Sequence, residues 1–271
     1  MTKLAIFLLN LIRKCHTEQV LERAAGLTYR ILLAFFPFLI FLMSLLGFTY
    51  LDTSAVLAPI YDVLPGDVSN LVSDFFQQLE QTRSKGLLSA GLFFSVYNSA
   101  NGFRAIIRSA NSAFDTRDNR GIVKQVALSL AMTLIFALVI IVMLVMLVLG
   151  RHIWDLFIHE DLEMLFVPLS TTGALVVMAF ATMFIYKLAL VKKLRLKQVL
   201  PGAVFTVLAW AVSSGIFGFA ISNFTQLPAI YGSIAGVFIL ILWLNLISLI
   251  LLIGNEINAL LVTECSECNS L

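Results

Sequence analysis

Charged residues drop out of this chain in six long runs. Segments 31–50, 86–103, 125–149, 165–186, 199–222 and 231–255 contain no Asp, Glu, Lys or Arg, and each is 18 to 25 residues long. At about 1.5 Å per residue, the longest would make a helix of roughly 37 Å. That is enough to cross a hydrocarbon layer of about 30 Å with some tilt. The pattern predicts six transmembrane helices in a single membrane domain over residues 1–271. The last two runs belong to one charge-free stretch, divided at the polar residues and proline of 222–228.

Two further helices are expected off the spans. Leu4 to Ile12 is mostly apolar but too short to cross, and Arg13 and Lys14 follow it without a small-residue cleavage site. It reads as an uncleaved helix at the inner surface. A second short helix, about Thr17 to Arg30, then leads into the first span, where Pro37 predicts a kink. After Pro65-Gly66, Asp67 can cap a helix whose Val68, Leu71, Val72, Phe75 and Leu79 recur at helical spacing. That one is predicted as an amphipathic helix on the extracytoplasmic face. The expected fold is therefore all-α: a polytopic six-helix bundle with one interfacial and one outer amphipathic helix.

The spans differ in polarity. Run 125–149 is apolar nearly all round, as a lipid-facing helix should be. Run 86–103 is the least apolar; it places Asn98 and Asn101 toward one side, with Arg104 and Arg108 following on the continued helix. In the last run, with Asn245 as the origin, Ser248 falls at about 300°, Asn255 at about 280° and Glu256 at about 20° around the helix. Leu252 and Ala259 share that face. Polar groups find no water in hydrocarbon, so both faces should look inward, where they are candidate binding residues lining a polar cavity. Glu256 follows 25 charge-free residues and is expected near the inner boundary, held by an arginine such as Arg30, Arg104 or Arg108 or serving an ion or proton path.

Pro201 falls where a first-turn proline is tolerated in a span beginning at 199. Ser214, Gly218 and Ser222, then Gly232 and Gly236, recur at spacings of four, which predicts close packing of the fifth and sixth spans or a face for a second copy.

Composition agrees: 60% of the 271 residues are hydrophobic and 13% charged, against about 25% charged in soluble domains. With the N-terminus inside, 15 of the 18 Lys and Arg fall on cytoplasmic segments. The positive-inside rule then puts both termini in the cytoplasm. The basic loop Lys192, Lys193, Arg195, Lys197 is an ordinary topology signal that meets anionic lipid headgroups, and no RNA-binding motif accompanies it.

No catalytic motif appears. Cys265-x-x-Cys268 and Cys15-His16 could be combined into four metal ligands on paper, but a lone CxxC in a tail does not make a zinc site. No metal, cofactor or enzymatic activity is expected.

Three stretches carry a family resemblance: AAGLTYRILLAFFP (24–37), NGFRAIIRSANSAF (101–114), and the region from Pro201 through Ala259. They resemble the YihY/BrkB-like integral membrane proteins, which once bore the label ribonuclease BN. Where that family often has a second aromatic this chain has Arg30, and Ala34 stands where it often has Ser. The resemblance implies six spans in the inner membrane and no mechanism. The functional expectation is a transporter or channel-like protein with a cavity lined by spans two and six; the alternative is a non-transporting scaffold for envelope integrity. Ribonuclease chemistry would need a metal-binding carboxylate or histidine cluster, which the sequence lacks.

Overall fold

The computed structural model describes residues 3–46, 73, 85–136, 138, 139, 163–223 and 233–268, and every regular element among them is an α-helix. In chain order these are α1 (Lys3–Thr17), α2 (Val20–Leu46), α3 (Lys85–Ala113), α4 (Ile122–Phe136), α5 (Glu163–Ala189), α6 (Leu196–Asn223) and α7 (Ser233–Cys268). The amphipathic helix expected after Asp67 and the loop at 223–230 lie outside the described residues, apart from Ser73 and Asn223.

Three helices hold segments long and apolar enough to cross a membrane: Thr171–Ala189, Leu196–Ala220 and Ala235–Thr263. Their outward residues are apolar too. Phe180 and Phe184 on α5, Val212, Ile216 and Phe219 on α6, and Phe238 and Leu242 on α7 are all exposed. A soluble monomer rarely shows so broad an apolar belt, whereas lipid tails cover it at no cost.

The helices alternate in direction, so one end of the bundle collects the starts of α2, α4 and α6 with the finishes of α3, α5 and α7. Contacts show the alternation: Thr28 early in α2 meets Ser248 in the middle of α7, and Gly202 early in α6 meets Asn258 in the second half of α7. Phe103 packs edge-on against Phe136, with ring centroids 5.9 Å apart, ten residues before the end of α3 and fourteen after the start of α4, as antiparallel neighbours require. The charge distribution predicts this end to be the cytoplasmic one.

The buried core concentrates here. On α2, Val20, Ala24, Leu27 and Thr28 repeat at helical spacing, as do Phe103, Ile107 and Ala110 on α3; all are buried. These stripes pack α2 against α3, while α7 packs against α6 on one side and α2 on the other. Ala24, Ala113, Ala189, Ala203 and Ala259 have no exposed surface, since small side chains let helices close together.

Four details differ from the expectations. Thr17–Arg30 and the first span are not two helices: α2 runs unbroken from Val20 to Leu46, because no proline or glycine lies between Thr28 and Phe36. Helix α6 starts at Leu196, not near 199, so Pro201 lies inside it. The earlier start comes from Gln198, whose Oε1 accepts the Arg195 N–H at 2.8 Å while its own N–H bonds Arg195 O at 2.9 Å.

Thirdly, a close approach of α6 and α7 lies away from Gly218 of the small-residue repeat, whose Cβ would meet nothing within 4 Å. It occurs between Gly202 and Gly254, where a Cβ on Gly202 would collide with Gly254 O and one on Gly254 with Thr206 Oγ1. Finally, α7 continues to Cys268, beyond the span end expected at 255.

A polar layer at one end of the bundle

The predicted inward face of α7 is buried. Ser248, Asn255 and Glu256 are each at most 2% exposed, Leu252 and Ala259 are buried, and Asn245 is half-buried. Their partners lie on three different helices. Ser248 Oγ accepts a hydrogen bond from Thr28 Oγ1 of α2 at 3.2 Å and donates to Leu244 O. Asn255 Nδ2 donates to Ala110 O of α3 at 3.4 Å. Glu256 Oε2 pairs with Lys14 Nζ of α1 at 3.7 Å.

The cation at Glu256 is therefore Lys14, not Arg30, Arg104 or Arg108. The reason is topological. Helix α1 folds back beneath the bundle and reaches the last turn of α3, where Lys14 Nζ also donates to Ala113 O at 2.7 Å. Beside it, Glu18 Oε2 takes Arg23 Nη2 at 2.8 Å and Ser112 Oγ at 2.9 Å. Helix α1 thus covers Glu256, which is fully buried.

The α3 candidates are spread along that helix. Asn98 donates to Phe94 O of its own helix at 2.9 Å, beside exposed Phe93, Phe94 and Tyr97. Asn101 and Arg104 are half-buried, and Arg108 is exposed. Arg104 Nε is buried without a hydrogen-bond partner, as are Asn255 Oδ1 and Glu256 Oε2. What joins α3 to α7 at this level is the backbone carbonyl of Ala110, not the asparagine stripe.

Reasoning from the sequence missed a second polar side of α7. With Asn245 again as the origin, Gly254 falls at about 180°, Asn258 at about 220° and Leu251 at about 240°, on the side adjoining the Ser248–Glu256 face. This side meets α6 and α5. Asn258 Oδ1 accepts the Gly202 N–H at 2.7 Å, and Tyr186 OH donates to Leu251 O at 2.6 Å while pairing with Thr206 Oγ1 at 2.7 Å. The signal was available, since Asn258 lies only three residues past Asn255.

Asn111 was missed as well. Fully buried, it donates from Nδ2 to Ile107 O at 2.8 Å and to Ala189 O at 2.9 Å, and its Oδ1 accepts the Val191 N–H at 2.8 Å. One side chain thereby ties the end of α3 to the end of α5 and satisfies backbone groups that a helix terminus leaves unpaired.

Cys15 lies next to Lys14 and is half-buried as a free thiol. Burial pushes its pKa up, the Glu256 charge adds to the rise, and Lys14 opposes it. Among the described residues no three His, Cys, Asp or Glu side chains group as metal ligands. On the outside of this end, the α3–α4 connection and Val191 frame an open depression of about 710 Å³ lined by Arg120, Ile122, Val123 and Lys124 among others.

The family described as Virulence factor BrkB matches residues 11–267. The chain belongs to the BrkB family. It is 34% identical over 260 residues to the ribonuclease-like protein YfkH of Bacillus subtilis (strain 168), covering 94% of each chain. It is 27% identical over 241 residues to a UPF0761 membrane protein of Kangiella koreensis, covering 88% of this chain and 59% of that one. No solved structure matches. As a BrkB-family chain with several apolar helices, this is a membrane protein.

Proposed function

We propose that this BrkB-family protein is a transporter or channel-like protein of six spans, with both termini in the cytoplasm and its polar site between spans two and six. One observation carries the reading. Glu256 Oε2 and Asn255 Oδ1 are buried on the inward face of α7, the longest helix among the described residues; neither oxygen has a hydrogen-bond donor, and Glu256 is met by Lys14 Nζ at 3.7 Å. A buried acceptor left without a donor costs about 1–3 kcal/mol, more if charged. Intramembrane ionisable residues kept at such cost mark ion and substrate paths. The test is flux from proteoliposomes across a panel of ions and small solutes. Transport that falls with Glu256→Gln supports the reading; absence of flux across the panel, with Glu256→Gln neutral in cells, counts against it.

A specific observation favours the scaffold alternative. Asn111, Tyr186 and Asn258 stitch neighbouring backbones together, and Gly202 meets Gly254 without a gap. Such a core suits a rigid membrane platform in the inner membrane, with or without a second copy. Cysteines placed at Asn101 and Asn245 discriminate the two. Labelling by a membrane-impermeant maleimide favours a water-filled path, and protection at both favours the scaffold.

Neither reading is enzymatic. The ribonuclease-like name of the Bacillus relative finds no matching ligand set in this sequence, and RNA incubated with purified protein should stay intact. The cytoplasmic basic segments, including Arg120 and Lys124 beside exposed Ile122 and Val123, suit anionic lipid headgroups at the inner surface.

A further inference from the structure

Lys14 sits where a free cation would. Its Nζ lies 2.7 Å from Ala113 O and 3.7 Å from Glu256 Oε2. Ala113 is the last residue of α3, so its carbonyl is one that the helix leaves unpaired, at the negative end of the helix dipole. Glu256 Oε2 and the neighbouring Asn255 Oδ1 are both buried without a hydrogen-bond donor. The unsatisfied atoms on this face of α7 are thus oxygens.

We propose that this is a monovalent-cation site between the end of α3 and α7, and that Lys14 fills it as a tethered cation. The charge count selects the ion class. Glu18 is already committed to Arg23 and Ser112, so Glu256 is the one carboxylate left to balance. Calcium takes six to eight oxygens, typically with several carboxylates, and magnesium demands a tight octahedron with retained waters. An ammonium head is a compact point charge, and sodium or potassium can replace it against the same oxygens. Helix α1 joins α2 through Glu18-Gln19, with Gln19 in the left-handed region at φ 51°, and its outer residues Leu8, Leu9 and Ile12 are exposed. In a working transporter, α1 would act as a cytoplasmic lock that competes with the ion. That role rests on the transport reading; occupancy of the site does not.

The test uses the purified full chain in detergent, heated in choline, sodium or potassium chloride at one ionic strength. Wild type should melt at the same temperature in all three salts, because Lys14 already fills the site. Lys14→Met and Lys14→Gln should melt several degrees higher in sodium or potassium than in choline, and the better salt names the ion. Lys14→Met combined with Glu256→Gln should lose that response. Equal melting of both Lys14 variants in the three salts overturns the proposal, and so does a response that survives Glu256→Gln. Failure to recover either Lys14 variant in any salt also overturns it, since an ion that fits should replace the ammonium. A salt response without proteoliposome flux keeps the site and removes the transport reading; flux without a salt response does the reverse.

Discussion

Gly202 of α6 and Gly254 of α7 approach so closely that neither has room for a side chain. A Cβ on Gly202 would strike the Gly254 carbonyl, and one on Gly254 would lie 2.6 Å from Tyr186 OH and 2.8 Å from Gly202 O. Backbone cannot give way as a flexible side chain can, so Gly202→Ala and Gly254→Ala must push the helices apart. Overpacking of a tight core costs about 1–3 kcal/mol, and both variants should fall at the upper end. Gly218→Ala is the control: its Cβ meets nothing within 4 Å, and the change should be neutral or stabilise by about 0.5–1 kcal/mol. Thermal melting of the three variants in one detergent checks the contrast.

Asn111 and Tyr186 both bridge helices, yet they should differ in cost. Asn111→Ala strands the Val191 N–H at the end of α5 and leaves the Ala189 carbonyl only the longer bond from Arg120 Nη2 at 3.5 Å. Each buried orphan costs about 1–3 kcal/mol, so the variant should be severely destabilised. Tyr186→Phe strands less. Thr206 keeps its bond to Gly202 O at 2.8 Å, and Leu251 O lies inside α7, where the helix itself offers a donor. Its cost should be about 0.5–1.5 kcal/mol, near that of one ordinary hydrogen bond. Comparing the two melting temperatures decides it.

What could be read from the chain was one-dimensional. Charge-free runs mark apolar helices because a membrane excludes unpaired charge, and three of the six runs coincide with described helices of spanning length and apolarity. The angular position of Ser248, Asn255 and Glu256 was likewise legible, since a turn of about 100° per residue holds within one helix. The partner across the gap was not. Lys14 is 242 positions from Glu256 and lies on a short helix outside the spans, so no spacing rule connects them. Gly202 and Gly254 escaped notice for a related reason. Small-xxx-small patterns count glycines along one helix, while this contact takes one from each. Asn258 was visible, but α7 had been assigned one inward face, and a helix packed on both sides has two.

The end of α3 offers a stabilising change. Thr116 N–H bonds Asn111 O and Asp115 N–H bonds Ser112 O, each at 2.9 Å, the paired bonds of a Schellman motif. That motif places Asp115 in the left-handed region, at φ 49°. Glycine takes this conformation without the Cβ penalty. Asp115 is exposed, so Asp115→Gly should gain up to about 1 kcal/mol with no loss of packing. Asp115→Val should do the opposite, because a β-branched side chain resists positive φ. Unchanged melting in both variants would show that the turn carries no strain.

Cys15 reports on whether α1 stays docked. Its raised pKa means that the folded thiol holds its proton more tightly than a free one, so the reactive thiolate is scarcer at any pH below that value. Stability contributed by this group is therefore intact below the unfolded thiol's pKa of about 8.5. It declines as pH rises through the folded value, because the unfolded state releases the proton first. Alkylation of Cys15 at neutral pH should be slower than that of a free cysteine and should keep rising as the solution is made alkaline. Two variants separate burial from charge. Glu256→Gln removes the carboxylate that adds to the shift and should quicken alkylation with α1 in place. Glu18→Gln weakens the anchor to Arg23 and Ser112, exposes the thiol, and should quicken it more, since burial is the larger cause. If Glu18→Gln leaves the rate unchanged, α1 is held by its apolar contacts and not by the Glu18 cluster.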